Sequence, residues 1–224
     1  MKSWENLQAD RNKILTNNYT PGRGGNSISR VVLHHNAGNL SIDSIHDLWE
    51  NNRQASAHYQ VTSDGEIGQI VWDKDTAWHS GNFHVNQTSI GIEHANNNSD
   101  PWTISEACLV NGAHLTAAVC KYYGLGRPAW RKNVFPHSDF QSTACPGSIN
   151  GSQRDRYMSL AGQFYDDMVA GRTTSTSAPK PSVDLNALAD AVIRGDYGNG
   201  EERKARLGSN YQAVQDIVNK KLLG

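Results

Sequence analysis

The sequence predicts an α/β layered domain joined by a linker to a small all-α three-helix bundle. Three observations carry that expectation. Before residue 171, short apolar runs alternate with segments whose apolar residues recur at helical spacing. Between 171 and 183, the string GRTTSTSAPKPSV is rich in Thr, Ser and Pro and has no apolar periodicity. Beyond it only helical stripes occur. The expected divisions are therefore a domain over 1–170, a linker over 171–183 and a small helical domain over 184–224.

The elements follow in order. The segment before Arg23 is expected to form a short helix packing on the domain. Ile28–His34, ISRVVLH, reads as a central strand. Ser41 can cap a helix whose Ile42, Ile45, Leu48 and Trp49 fall on one face. Ala57–Val61 and Glu66–Trp72 flank Ser63-Asp64-Gly65, a hairpin signal. Thr88–His94, TSIGIEH, is another strand. Ser105 opens a long helical pattern through Tyr123, and Gly124 suits its C-terminal stop. Ser152–Ala170 carries Tyr157, Leu160, Phe164 and Met168 on one face and ends at Gly171. In the tail, Leu185, Leu188, Ala189 and Val192 form one stripe, Glu201–Leu207 a short charged helix, and Tyr211, Val214, Ile217 and Val218 a third stripe. Such a bundle is near the lower size limit for independent folding.

Composition narrows the class of partner. The 224 residues carry a formal net charge of −1, so no global basic field draws nucleic acid or an anionic membrane. Six Trp, eight Tyr and many Asn suit a polymer read by hydrogen bonds and stacking. No apolar run reaches the ~18 residues of a membrane span. MKSWENLQADRNKILTNNY has Lys2 but no apolar run behind it, so no secretory signal is expected. Three cysteines are too few, and odd in number, for a disulfide framework. Cys108 and Cys120 share one helical pattern, roughly 18 Å apart along its axis, and read as small core residues.

His34 ends the first strand, while His137 and Cys145 share the loop PHSDFQSTACPG, whose prolines and glycine argue against regular structure. Two imidazoles and one thiolate form a zinc set that leaves a fourth position open for water, the catalytic rather than the closed arrangement. Such a site stays cationic, so it can polarise a carbonyl. A carboxylate near its water, such as Glu93, can take a proton and pass it to a leaving amine.

Five strings occur in order: RVVLHHNAG, SAHYQVTSDGEIGQIV, TAWHSGN, SIGIEHAN and HSDFQSTACPG. Over roughly Ile28–Gly147 the chain resembles the zinc amidase family that includes phage lysozyme-like amidases and peptidoglycan recognition proteins. That resemblance implies a mixed central sheet flanked by helices. It implies Zn2+ held by His34, His137 and Cys145, with His35 pointing elsewhere on the alternating strand and an exchange of the two histidines as the alternative. It implies zinc-bound water as nucleophile and Glu93 as general base. Other members place a Tyr base where this chain has Ala57, which puts more weight on Glu93. Thr143 stands where some members have an oxyanion-stabilising Lys, and a hydroxyl donates a weaker, neutral hydrogen bond. Trp78 and His79 are the expected substrate-groove residues, and His58 is expected to be structural.

The tail strings IRGDYGNGEERKARLG and YQAVQDIVN resemble a Cpl-7-type cell-wall-binding repeat. The resemblance implies a peptidoglycan-binding three-helix bundle, with Asp196, Tyr197, Gly198, Asn199, Gly200 and Arg203 at the groove, or with the Gly-Asn-Gly run serving only as a turn. Together these expectations describe an N-acetylmuramoyl-L-alanine amidase of phage or prophage origin, an endolysin. Its expected course is synthesis in the host cytoplasm, release through a holin-type lesion, and action on the cell wall. The alternatives are a non-catalytic peptidoglycan recognition protein and a zinc peptidase acting within the stem peptide.

Overall fold

The computed structural model describes residues 7–172, 185–195, 197–207 and 211–223. The chain divides into two compact units, Met1–Thr176 and Ser177–Gly224. The predicted linker falls almost wholly on residues outside those described, as does Asp196.

The first unit is built on a six-stranded mixed sheet in the order β1-β5-β4-β7-β3-β8. Its strands are β1 (Arg11–Asn12), β3 (Arg30–Leu33), β4 (Tyr59–Val61), β5 (Ile67–Gln69), β7 (Ser89–His94) and β8 (Val134–Pro136). Only β4 and β5, the predicted hairpin, run antiparallel, while the remaining pairs are parallel. β2 (Tyr19–Thr20) and β6 (Thr76–Ala77) form a small antiparallel ribbon.

Helices cover both faces of the sheet. α1 (Ile42–Asn51) packs Ile42, Ile45 and Trp49 with Leu15, Ile70, Val71 and Ala77. Ser41 caps it by accepting the Ser44 N–H at 3.1 Å. On the other face, α3 (Glu106–Tyr122) lies between the sheet and α4 (Arg154–Val169). Its residues from Cys108 to Cys120 are all buried, which explains why its apolar residues run around the whole helix rather than along one stripe. Ser105 caps it through the Cys108 N–H at 3.1 Å, and Gly124 follows it with a positive φ of 65°. Cys108 and Cys120 are core residues, as expected. α2 (Phe83–Gln87) is too short to leave a periodic signature.

Two expectations are corrected. The described part of the segment before Arg23 is extended rather than helical. The N–H groups of Asp10, Lys13 and Leu15 donate to the carbonyls of Ile67, Gln69 and Ile70 at 2.9, 2.9 and 3.0 Å. Edge pairing thus satisfies the backbone, and Leu15 is the segment's one fully buried anchor among the described residues. Pro136 belongs to a strand rather than a loop. β8 is an edge strand, where proline's missing N–H is tolerated.

In the second unit, α5 (Leu185–Ile193), α6 (Gly200–Leu207) and α7 (Tyr211–Leu223) enclose Ala189, Val192, Leu207, Val214 and Val218. These are the stripes that the sequence marks. No helix among the described residues is long and apolar enough to cross a membrane.

Candidate functional site

Strand register builds the site. β3 pairs in parallel with β7 on one side and β8 on the other, with Leu33 opposite both Ile92 and Pro136. One residue further along, Glu93, His34 and His137 therefore lie in one row at the carboxyl ends of three adjacent strands. The β3–β7 ladder continues past His34, whose N–H donates to the Ile92 carbonyl at 2.8 Å, to Asn36, whose N–H donates to His94 at 3.0 Å. Strands sit about 4.8 Å apart, so side chains on one face of such a row meet. Alternation places Val31 and Leu33 in the core under α3 and turns His34 to the opposite face. The His34 and His137 rings stand 4.5 Å apart.

Cys145 enters from the loop after β8. Its Sγ lies 3.7 Å from His34 Nδ1 and accepts the His35 N–H at 3.3 Å. Thr143 Oγ1 accepts the Cys145 N–H at 3.2 Å, so its own proton is free to donate elsewhere. The ligand atoms of His34, His137 and Cys145 all lie within 4.8 Å of one another. Bond lengths of about 2.0–2.3 Å around one tetrahedral ion put its ligand atoms about 3.3–3.8 Å apart. The trio therefore fits a single metal ion after a small contraction. His35 turns away, edge-on to Trp102 and close to Asn96.

Electrostatics suit a cationic guest. Burial first, and neighbouring imidazoles second, hold His34 well below the usual histidine range, so it offers a neutral nitrogen. Burial, with Glu93 nearby, pushes the Cys145 thiol well up when no cation is at hand. Burial also raises the Glu93 carboxyl to about 7, opposed by a hydrogen bond from Asn36 Nδ2 at 2.8 Å. Asn36 in turn exchanges amide hydrogen bonds with Gln60 at 2.8 and 3.1 Å. Asn36 lies in the HHNAG string, but nothing in the sequence alone separates it from the many other asparagines.

The trio, Glu93, Thr143 and Trp78 line one cleft of about 190 Å³, which continues into a wider groove of about 550 Å³ past Trp78, Phe83 and Gln141. Trp78 is part-buried and anchored, its Nε1 donating to Thr20 Oγ1 at 2.9 Å. His79 borders both the cleft and the groove but is largely covered. It is 8% exposed, and both ring nitrogens are engaged, Nδ1 with His34 Nε2 at 3.0 Å and Nε2 with Ser89 Oγ at 3.1 Å. It packs against Gly91, where a Cβ would come within 2.8 Å of the ring. His79 thus sits beneath His34 and offers no free nitrogen to the groove. His58 is buried, and its Nδ1 accepts the Gly91 N–H at 3.0 Å, a structural role.

In the tail, Gly198 and Gly200 take positive φ of 66° and 55°, the conformation of a tight turn. Arg203 ties that turn down, donating to the Gly198 carbonyl at 3.0 Å, Asn199 Oδ1 at 2.8 Å and Gln215 Oε1 at 3.2 Å. Tyr197 packs on the bundle core.

A mixed sheet whose parallel strand ends bring a carboxylate beside a His–His–Cys group that could hold a metal ion has the side chains a metal-assisted hydrolase uses. Residues 24–148 match the family model described as N-acetylmuramoyl-L-alanine amidase, and the chain belongs to that family. Residues 186–222 match the CW_7 repeat. Among curated proteins, it is 34% identical over 122 residues to N-acetylmuramoyl-L-alanine amidase A of Achromobacter lyticus, covering 54% of this chain and 66% of that protein. It is 29% identical over 143 residues to a probable N-acetylmuramoyl-L-alanine amidase of Bacillus licheniformis, covering 56% and 38%. The match thus spans less than two thirds of either relative. Among solved structures, the Staphylococcus aureus hydrolase AmiA in complex with its ligand superposes with a TM-score of 0.60 at 20% identity, covering 77% of this chain and 91% of that one. A mutant endolysin from Bacillus subtilis gives 0.56 at 21% identity, covering 69% and 100%. At that identity the likeness establishes the fold.

Proposed function

We propose that this chain is a peptidoglycan hydrolase that cuts the amide between the lactyl group of N-acetylmuramic acid and L-alanine, with zinc held by His34, His137 and Cys145. The observation that carries the reading is the row of Glu93, His34 and His137 across three adjacent strands, closed by Cys145. Two imidazoles and a thiolate favour zinc over harder, oxygen-seeking cations. When bound, zinc supplies Lewis-acid polarisation of the scissile carbonyl and acidifies water.

The chain's own residues do the rest. Glu93, held by Asn36, takes a proton from the attacking water and delivers it to the departing L-alanine nitrogen. Thr143, whose hydroxyl oxygen is occupied by the Cys145 N–H, points its proton at the developing oxyanion. Trp78 offers a fixed aromatic face to the glycan or stem peptide. The tail docks the enzyme on the wall through the surface around Tyr197, Asn199 and Arg203, and residues 171–183 serve as the linker. Such a chain serves as a phage or prophage endolysin that reaches the wall through a lesion made by another protein.

The metal content of the purified chain tests the site. One zinc per chain is expected, dropping to a small fraction in His137→Ala and Cys145→Ala, with wall-lytic activity lost on chelation. Lysis indifferent to chelator would remove the metal from the reading.

A further inference from the structure

We propose that Ser89 and His79 are positioning residues that set which nitrogen of His34 carries its proton, leaving Nδ1 bare toward the metal. The inference rests on the metal reading of the trio.

The chain of hydrogen bonds starts at one carbonyl. Ser89 Oγ lies 2.6 Å from the Val85 carbonyl oxygen, which can only accept, so the hydroxyl proton goes there. Ser89 Oγ is then an acceptor toward His79 Nε2 at 3.1 Å, and that nitrogen must carry a proton. The His34 and His79 rings are buried, 2% and 8% exposed, and among the described residues their nitrogens meet only each other, Ser89 and Cys145, so no carboxylate is there to hold an imidazolium. A neutral His79 protonated at Nε2 has a bare Nδ1, and this faces His34 Nε2 at 3.0 Å. His34 therefore donates from Nε2, and its Nδ1 is bare. That is the nitrogen 3.7 Å from Cys145 Sγ. Running the chain the other way would leave the Ser89 and Val85 oxygens 2.6 Å apart with no hydrogen between them.

The relay is held rigidly. Asn86 Oδ1 accepts the His79 N–H at 3.2 Å. The His79 ring rests on Gly91, where a Cβ would intrude to 2.8 Å. His94 Nδ1 donates to the His34 carbonyl at 2.8 Å, so the backbone of His34 is clamped independently. A buried serine on the sheet, out of reach of substrate, thereby decides the donor face of a residue in the cleft. Partners of this kind fix ligand orientation and basicity, and their loss typically weakens metal binding ~10–100-fold.

The test uses the full chain. Nitrogen-15 NMR of the metal-free protein is expected to show His34 protonated at Nε2 and bare at Nδ1, with His79 likewise. In Ser89→Ala, His34 is expected to lose that single tautomer, and zinc affinity by chelator competition to fall ~10–100-fold. His79→Leu should match that loss, whereas His79→Asn, whose Oδ1 takes the place of Nδ1, should stay within a few-fold of wild type. Thermal unfolding of each variant separates lost positioning from lost fold. A wild-type His34 protonated at Nδ1, or folded Ser89→Ala and His79→Leu proteins that bind zinc like wild type, would overturn the inference. If the wild type takes up no zinc, the metal reading fails, while the His34 nitrogen shifts still judge the relay.

Discussion

At the residue scale the proposed chemistry depends on Glu93. Burial raises its carboxyl to about 7. A base must be ionised, so activity rises with pH through the Glu93 pKa, and a dication at the trio moves that limb below 7 by favouring the carboxylate. Glu93→Gln is expected to lower kcat by about 10²–10⁴ and to abolish the acid limb, with zinc content unchanged. The pH–rate profile checks both. Thr143→Val removes both the donor to the oxyanion and the acceptor of the Cys145 N–H, and should cost at least about tenfold in kcat on a soluble muropeptide. The ordered strings name Glu93, His34, His137 and Cys145 through the family they resemble. Ser89 and Asn36 are not legible in that way. Serine and asparagine are common, and only the folded chain shows which of them touch a histidine or a carboxylate.

At the element scale the caps and the close-packed floor are the points of leverage. Ser105→Ala removes the acceptor of the Cys108 N–H and should cost about 1 kcal/mol in chemical denaturation, with activity unaffected. Gly91→Ala should act differently. Its Cβ would push the His79 ring, so zinc affinity is expected to fall more than stability does, as compared by chelator competition and unfolding. The capped helices, the β4–β5 hairpin and strands β3 and β7 were readable because each carries its own periodicity or turn chemistry. The two-residue strands β1, β2 and β6 were not, since pairs of residues have no period: β1 owes its form to the β5 edge, and β2 and β6 owe theirs to each other. β8 was hidden by Pro136, whose edge position only the sheet order reveals.

At the scale of the whole molecule, the sheet order is what makes a site from distant residues. β7, β3 and β8 are non-consecutive in sequence yet adjacent in space, and nothing in a single sequence states that order. The proposed division of labour between the two units gives its own prediction. A chain ending at residue 172 should still cleave soluble muropeptides, while co-sedimentation with isolated walls falls several-fold. Equal sedimentation would remove the wall-docking role from the tail.

The central claim is the bond that is cut, and mass analysis of fragments released from isolated cell walls reads it directly. The account predicts intact glycan with free muramic acid carboxyls and stem peptides with new L-alanine amino termini, all absent in Glu93→Gln. Cuts within the stem, or wall binding with zinc in place and no fragments at all, would contradict it.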